Sequence, residues 1–204
     1  MPKNTPVPQF AKAQPVAAPA PQAVQAAAEA INGADSVTFL VGLGARHART
    51  EVLQAAEHLA APMVLSLKAK EGFDDDNPYE VGQSGLIGNP ATALAFDSCD
   101  VLVLIGTDFP YPEFLPTGKI VVQLDVRGAH IGRRTPVDYP VVGDARLALD
   151  ALLPLLDAKR DRDHLDAARK AYASWGSGQA HFTDPDYDKR RSGCCEARST
   201  TAMN

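Results

Sequence analysis

The sequence predicts an α/β protein built on a mainly parallel sheet flanked by helices. Three observations lead there. Val101–Ile105 and Ile120–Leu124 are short, almost wholly apolar runs rich in β-branched residues, as expected for strands covered on both faces. Such strands alternate along the chain with stretches of helical periodicity, the pattern of a parallel sheet. Each run also ends abruptly in polar groups: Gly106-Thr107-Asp108 after the first and Asp125 after the second. Open α/β sheets bind ligands just beyond the carboxyl ends of their strands.

The elements follow in order. Residues 1–21 hold six prolines among many alanines and no acidic residue, the composition of a disordered linker. Gln22–Ile31 is an alanine-rich helix stopped by Asn32-Gly33. Val37–Val41 is the first strand, and Gly42-Leu43-Gly44 leads from it into a helix over 46–60. Val52, Ala56 and Leu59 share one face of that helix. Pro62 precedes a short strand, Met63–Leu65. Residues 66–89 read as one long loop, and a loop of that length in a compact domain is more often functional than idle. Asn89-Pro90 opens a helix that ends near Ser98-Cys99. Pro110, Pro112 and Pro116 predict an irregular connection between the two core strands. Tyr139–Val142 is a further strand. Asp144 caps a helix with Ala148, Ala151, Leu152 and Leu155 on its apolar stripe. Residues 161–174 suit a charged helix with Leu165, Ala168 and Tyr172 on one side. Residues 190–204 have almost no core-forming residues and read as a disordered tail.

Composition bounds the function. The 204 residues carry a net charge of −5, which gives no reason to expect nucleic acid as a partner. No apolar run approaches the ~18 residues of a membrane span, and no signal peptide is evident. Cys99, Cys194 and Cys195 fit neither a disulfide framework nor a zinc site, so a reduced cytoplasm is the expected compartment. Cys99 reads as a small buried residue. The five histidines are scattered and form no metal-binding pair, and no nucleophile motif is present. Asp74-Asp75-Asp76 reads as a solvated loop. The domain looks built to bind rather than to catalyse.

The binding candidates are loops. Gly42 and Gly44 lie between a strand and a helix, where they admit a phosphate-bearing ligand or simply make a tight turn. Ser84-Gly85-Leu86-Ile87-Gly88 is a second glycine-bracketed loop ahead of a helix. Asp125 follows a strand, where a carboxylate accepts hydrogen bonds from ribose hydroxyls or caps a turn.

Several segments carry a resemblance: VGLGA (41–45), KAKEGFDDDNPYEVGQSGLIG (68–88), DVLVLIGTDFPY (100–111), IVVQLDV (120–126), IGRRTPVDYPVVGDA (131–145) and ALLPLL (151–156). In this order they resemble the central domain of thiamine diphosphate (thiamine pyrophosphate)-dependent enzymes of the pyruvate oxidase and acetolactate synthase type. GLIG, GTDFPY and DNPYEVG look closest to pyruvate dehydrogenase (quinone). The resemblance covers roughly residues 22–175. It implies a six-stranded, Rossmann-like, FAD-binding central domain over 22–159 and a helical linker over 160–189 toward a third domain. It implies that Gly42 and Gly44 help form the cofactor cleft and that Ser84, Gly85, Leu86 and Ile87 line the flavin region. Thr107, Asp108, Phe109, Pro110 and Tyr111 form a second wall, Asp125 holds the adenosine part, and Asp144 is a further cleft position. The family's thiamine-activating glutamate and its magnesium-binding GDG motif have no counterpart in the sequence. The resemblance therefore implies a fragment, inactive alone, of an enzyme that decarboxylates pyruvate oxidatively. In that parent, thiamine diphosphate, magnesium and FAD serve a homo-oligomer, expected to be a tetramer, and electrons pass to a quinone or oxygen. An acetolactate synthase-like central domain, or a non-catalytic nucleotide-binding or assembly module, is the alternative. Some quinone-reducing members carry a membrane-binding element at the end of the full chain.

Overall fold

The computed structural model describes residues 16–179. Six strands form one sheet, all parallel, in the order β3-β2-β1-β4-β5-β6. They are β1 (Val37–Val41), β2 (Met63–Leu65), β3 (Glu80–Gln83), β4 (Val101–Ile105), β5 (Ile120–Asp125) and β6 (Tyr139–Val142). The central pair is buried at every position of β1 and β4, which is why their sequences are continuous apolar runs rather than alternating ones.

One face of the sheet is covered by α1 (Pro21–Asn32), α2 (Arg49–His58) and α5 (Ala145–Leu152) through Val24, Ile31, Val52, Leu149 and Leu152. The opposite face carries α4 (Pro90–Ser98) and α6 (Asp163–Gln179), which pack Phe96 and Ala168 against Leu40, Leu102 and Leu104. Cys99 is fully buried here, and burial pushes its thiol up to about 11, an inert value. Burial of this apolar stripe on two faces is the main source of stability.

The helix starts follow from their caps. Asn89 Oδ1 accepts the N–H groups of Ala91 and Thr92, and Asp144 accepts those of Arg146 and Leu147. Around α2 the sequence reading needs amendment. The turn over Leu43–Ala48 is a 3₁₀ helix, α2 proper starts at Arg49, and Leu59 lies just past its end. α6 runs past Trp175 to Gln179.

The expected 66–89 loop is broken by a 3₁₀ turn (Leu67–Ala69), a single helical turn α3 (Lys70–Phe73) and the strand β3. β3 escaped pattern reading because it is a four-residue edge strand, polar at both ends, with Gly82 at φ +95° and a register shift against β2. Tyr172 of α6 lies over Gly82, so α6 covers this sheet edge. At the other edge, β6 carries Pro140, which lacks the N–H that would extend the ladder.

Residues 1–15 and 180–204, including Cys194, Cys195 and the expected tail, lie outside the described residues. The packed chain begins before Gln22. Asp144 N–H donates to Ala17 O at 2.7 Å, and a side chain at Gly143 would meet Pro19 at 2.9 Å. No helix among the described residues is long and apolar enough to cross a membrane.

Candidate cofactor site at the carboxyl edge of the sheet

Because all six strands run the same way, their carboxyl ends collect along one edge. Val41 pairs with Ile105, Ile105 with Leu124, and Asp125 with Val142. Every sequence-predicted site residue lies on this edge. Gly42 and Gly44 follow β1, Ser84–Ile87 follow β3, Thr107–Tyr111 follow β4, Asp125 ends β5, and Asp144 follows β6. The strand order reverses between β1 and β4, the switch point at which such sheets open a ligand crevice.

At that switch point the two loops touch backbone to backbone. Gly42 N–H donates to Ile105 O and Gly44 N–H to Gly106 O, both at 2.9 Å. A Cβ on Gly42 would sit 2.3 Å from Gly106 O, and one on Gly44 would sit 2.8 Å from the same atom. Gly106 itself has φ +57°. The paired glycines are therefore required by loop contact, and these two amides are committed to carbonyls rather than offered to a phosphate. Gly106, which the site reading passed over, completes the junction.

The next two groups meet at Gly85, Phe109 and Tyr111. Gly85, at φ +94°, leaves room for Tyr111 and Phe109, which a Cβ there would meet at 3.2 and 3.3 Å. Phe109, Tyr111 and Phe114 stack edge to face at 5.6 and 6.2 Å between centroids. Beside them, Ser84, Gly85, Gly88, Asn89, Thr92, Phe96 and Phe114 line a cleft of about 360 Å³. Ser84, Thr107 and Phe109 are buried, whereas Leu86 and Ile87 are 74% and 53% exposed. Leu43, Leu67, Phe114 and Val126 are also exposed, so the loops after β1, β2, β4 and β5 each present an apolar side chain, as does Val142 at the end of β6. Pro110 is exposed on the rim.

The three aspartates are more engaged than the sequence implied. Asp108 accepts from Arg134 Nε at 2.8 Å and Arg133 Nη1 at 3.1 Å, and these guanidiniums hold its carboxyl below the usual range. Asp125 Oδ1 accepts the Arg127 N–H at 2.8 Å, while Oδ2 lies 3.5 Å from His130 Nδ1. The turn-capping role that the sequence left open is thus made by one oxygen of a nearly buried carboxylate; the other faces an imidazole. Asp144 caps α5 and lies 2.8 Å from His47 Nε2. Partial burial opposes its ionisation, but the amides of Leu147 and Arg146 and the neighbouring His47 together hold it below the ordinary value. His47, His130, Arg133 and Arg134 were not singled out by sequence; only their position between strand ends marks them.

The carboxyl edge carries apolar and aromatic side chains on the loops after β3 and β4 and arginines and aspartates on the loops after β4, β5 and β6, a set that suits an aromatic ligand with an anionic extension. Among the described residues no three His, Cys, Asp or Glu side chains gather as a metal ion would need.

Comparison with known proteins gives the fold a family. The thiamine pyrophosphate enzyme central domain matches residues 24–152. The chain belongs to that family. An uncharacterized 42.6 kDa protein of Pseudomonas amyloderamosa is 42% identical over 158 residues, 78% of this chain and 40% of that one. A Bacillus subtilis protein provisionally named thiamine pyrophosphate-containing protein YdaP is 37% identical over 148 residues, 72% of this chain and 26% of its own length. Acetolactate synthase of Mycobacterium leprae is 30% identical over 182 residues, 80% of this chain and 29% of the enzyme. The crystal structure of benzoylformate decarboxylase from Polynucleobacter necessarius superposes with a TM-score of 0.62 at 23% identity, covering 79% of this chain and 32% of that one, and supports the fold alone. The chain thus spans well under half the length of the curated relatives it matches. These relatives do not single out the pyruvate oxidase branch that the sequence motifs suggested.

Proposed function

We propose that this central domain binds FAD along the carboxyl edge of its sheet and serves a thiamine pyrophosphate-dependent enzyme that acts on pyruvate. The observation that carries this reading is the apposition of Gly85 with Phe109 and Tyr111, beside a cleft lined by Ser84, Gly85, Asn89 and Phe114. In this reading Leu86, Ile87, Phe109 and Tyr111 supply apolar surface for the flavin ring. Ser84 and Thr107 add hydroxyls, and Asp125 Oδ2 accepts from the adenosine ribose. Gly42 and Gly44 shape the cleft by letting the first loop close on Gly106, and Asp144 fixes its far end by capping α5. The chemistry such a group supplies is the acceptance of an electron pair, while the protein contributes binding and orientation.

The finer assignment follows the GLIG, GTDFPY and DNPYEVG motifs. In the full-length protein, thiamine pyrophosphate and magnesium belong to other domains, pyruvate is oxidatively decarboxylated, and the active form is a homo-oligomer, a tetramer in our reading. An acetolactate synthase-like central domain is the second reading, and the M. leprae relative favours it. The test is the visible spectrum of the chain purified and then desalted after incubation with FAD. Retained absorption at the flavin bands supports the reading. A colourless protein that binds an adenine nucleotide without flavin would replace it with a plain nucleotide module.

A further inference from the structure

The β5–β6 connection has features that the flavin reading leaves unused. Residues 126–138 connect β5 to β6 with only a 3₁₀ turn (Gly128–His130) and no α-helix, and carry Arg127, His130, Arg133 and Arg134 in a chain whose net charge is −5. The loop's own acid, Asp138, is turned to the opposite edge, where it accepts the Val121 N–H at 2.8 Å. The loop is also held in place from beneath. Gln123, 4% exposed in the middle of β5, donates from Nε2 to His130 O at 3.2 Å and accepts the Gly132 N–H at 3.0 Å. A buried amide that holds the loop backbone at two points is a pre-organising contact.

Asp108 reaches across from the β4 loop and ties down both arginines. Two guanidiniums against one carboxylate leave a net positive charge. Each guanidinium has five N–H donors, and Asp108 takes one hydrogen bond from each. The side chains remain 51% and 29% exposed, so donors are left for a second anion.

We infer that Arg133 and Arg134, fixed by Asp108 and by the Gln123-held loop, form a clamp for the diphosphate of a nucleotide cofactor. The planar fork of arginine suits phosphate oxygens, and a basic loop on an acidic protein concentrates anions locally. The inference rests on the flavin reading for its ligand, but not for its anion chemistry. Asp108 is then a positioning residue rather than a cofactor contact.

The experiment is calorimetric titration, at low salt, of the wild-type chain and of the double variant Arg133→Gln, Arg134→Gln with FAD, riboflavin and inorganic pyrophosphate. Arg169→Gln on α6 controls for lost charge, and circular dichroism with a thermal melt confirms folding. The expected result is FAD binding weakened about 10- to 100-fold in the double variant, the scale of one or two charged hydrogen bonds, with riboflavin binding unchanged. Unchanged FAD affinity, or equal weakening of FAD and riboflavin, overturns the clamp. If the wild type binds neither flavin, the flavin reading fails, and pyrophosphate decides the clamp. Binding that the double variant loses supports it; no binding by the wild type overturns it.

Discussion

Replacing Gly42 with alanine tests the junction that shapes the cleft. The added Cβ would lie 2.3 Å from Gly106 O, 2.5 Å from Thr107 Cα and 2.6 Å from Thr107 Cβ. Ordinary contacts begin about an ångström further out, and two of the three obstructing atoms are backbone, which no rotamer change can remove. Overpacking of this kind costs typically 1–3 kcal/mol. Separating the loops also strains the Gly42 N–H···O Ile105 and Gly44 N–H···O Gly106 bonds, each worth about 1 kcal/mol net. The expected destabilisation is therefore about 3 kcal/mol. At 2–4 °C per kcal/mol for a domain of this size, the melting temperature should fall by roughly 6–12 °C. Differential scanning calorimetry measures this, and a urea midpoint shift at constant slope checks it. A melting temperature within about 1 °C of wild type would refute the packing argument and return the glycine pair to an open, ligand-facing role.

Further outcomes follow from other residues. Gly176→Ala, in open space on α6, should stabilise by about 0.5–1 kcal/mol through helix propensity, seen as a raised melting temperature. Burial and then the nearby Asp74 push Glu80 up from 4.5 to about 7, so the folded chain holds a proton that the unfolded chain releases. That contribution is complete below about pH 4.5 and is lost as pH rises through 7. Glu80→Gln should therefore remove part of the fall in stability across this window, by less than about 1 kcal/mol because the side chain is only half-buried. His164 sits 2.8 Å from Thr38 Oγ1 and 3.2 Å from Ser98 Oγ, and burial holds its imidazole below the ordinary 6.5. Asp100 and Lys119 act on it with opposite signs. Its contribution is thus full above pH 6.5 and lost on acidification. Fluorescence of Trp175, stacked on Tyr172 in the same helix, should report loosening of α6 at acid pH in wild type and not in His164→Gln.

What the sequence disclosed depended on how each feature was encoded. β1, β4 and β5 were legible because strands covered on both faces must be apolar throughout, and α4 and α5 because Asn89 and Asp144 are strong caps. β3 was not, since an edge strand with Gly82 at positive φ has neither an apolar run nor alternation. The gathering of Thr107, Asp125 and Asp144 at one edge was legible from strand direction alone; Ser84 joins them through β3, which was not. The partners of those residues were not. Arg133 and Arg134 lie 25 and 26 residues from Asp108, and no local spacing marks such a pair. The Gly42–Gly106 contact likewise joins strands far apart in the chain, which is why glycines that look like a phosphate loop are in fact a packing junction.

The central claim, that the carboxyl edge of this sheet is a flavin nucleotide cleft, is tested most directly by backbone amide NMR shifts during titration of the chain with FAD. The account predicts perturbations at Gly85, Leu86, Thr107, Tyr111 and Arg127, with Ser36, Asp100 and Lys119 on the opposite edge unmoved. Saturating FAD that leaves the carboxyl-edge amides in place, or shifts centred on the amino edge, would contradict it.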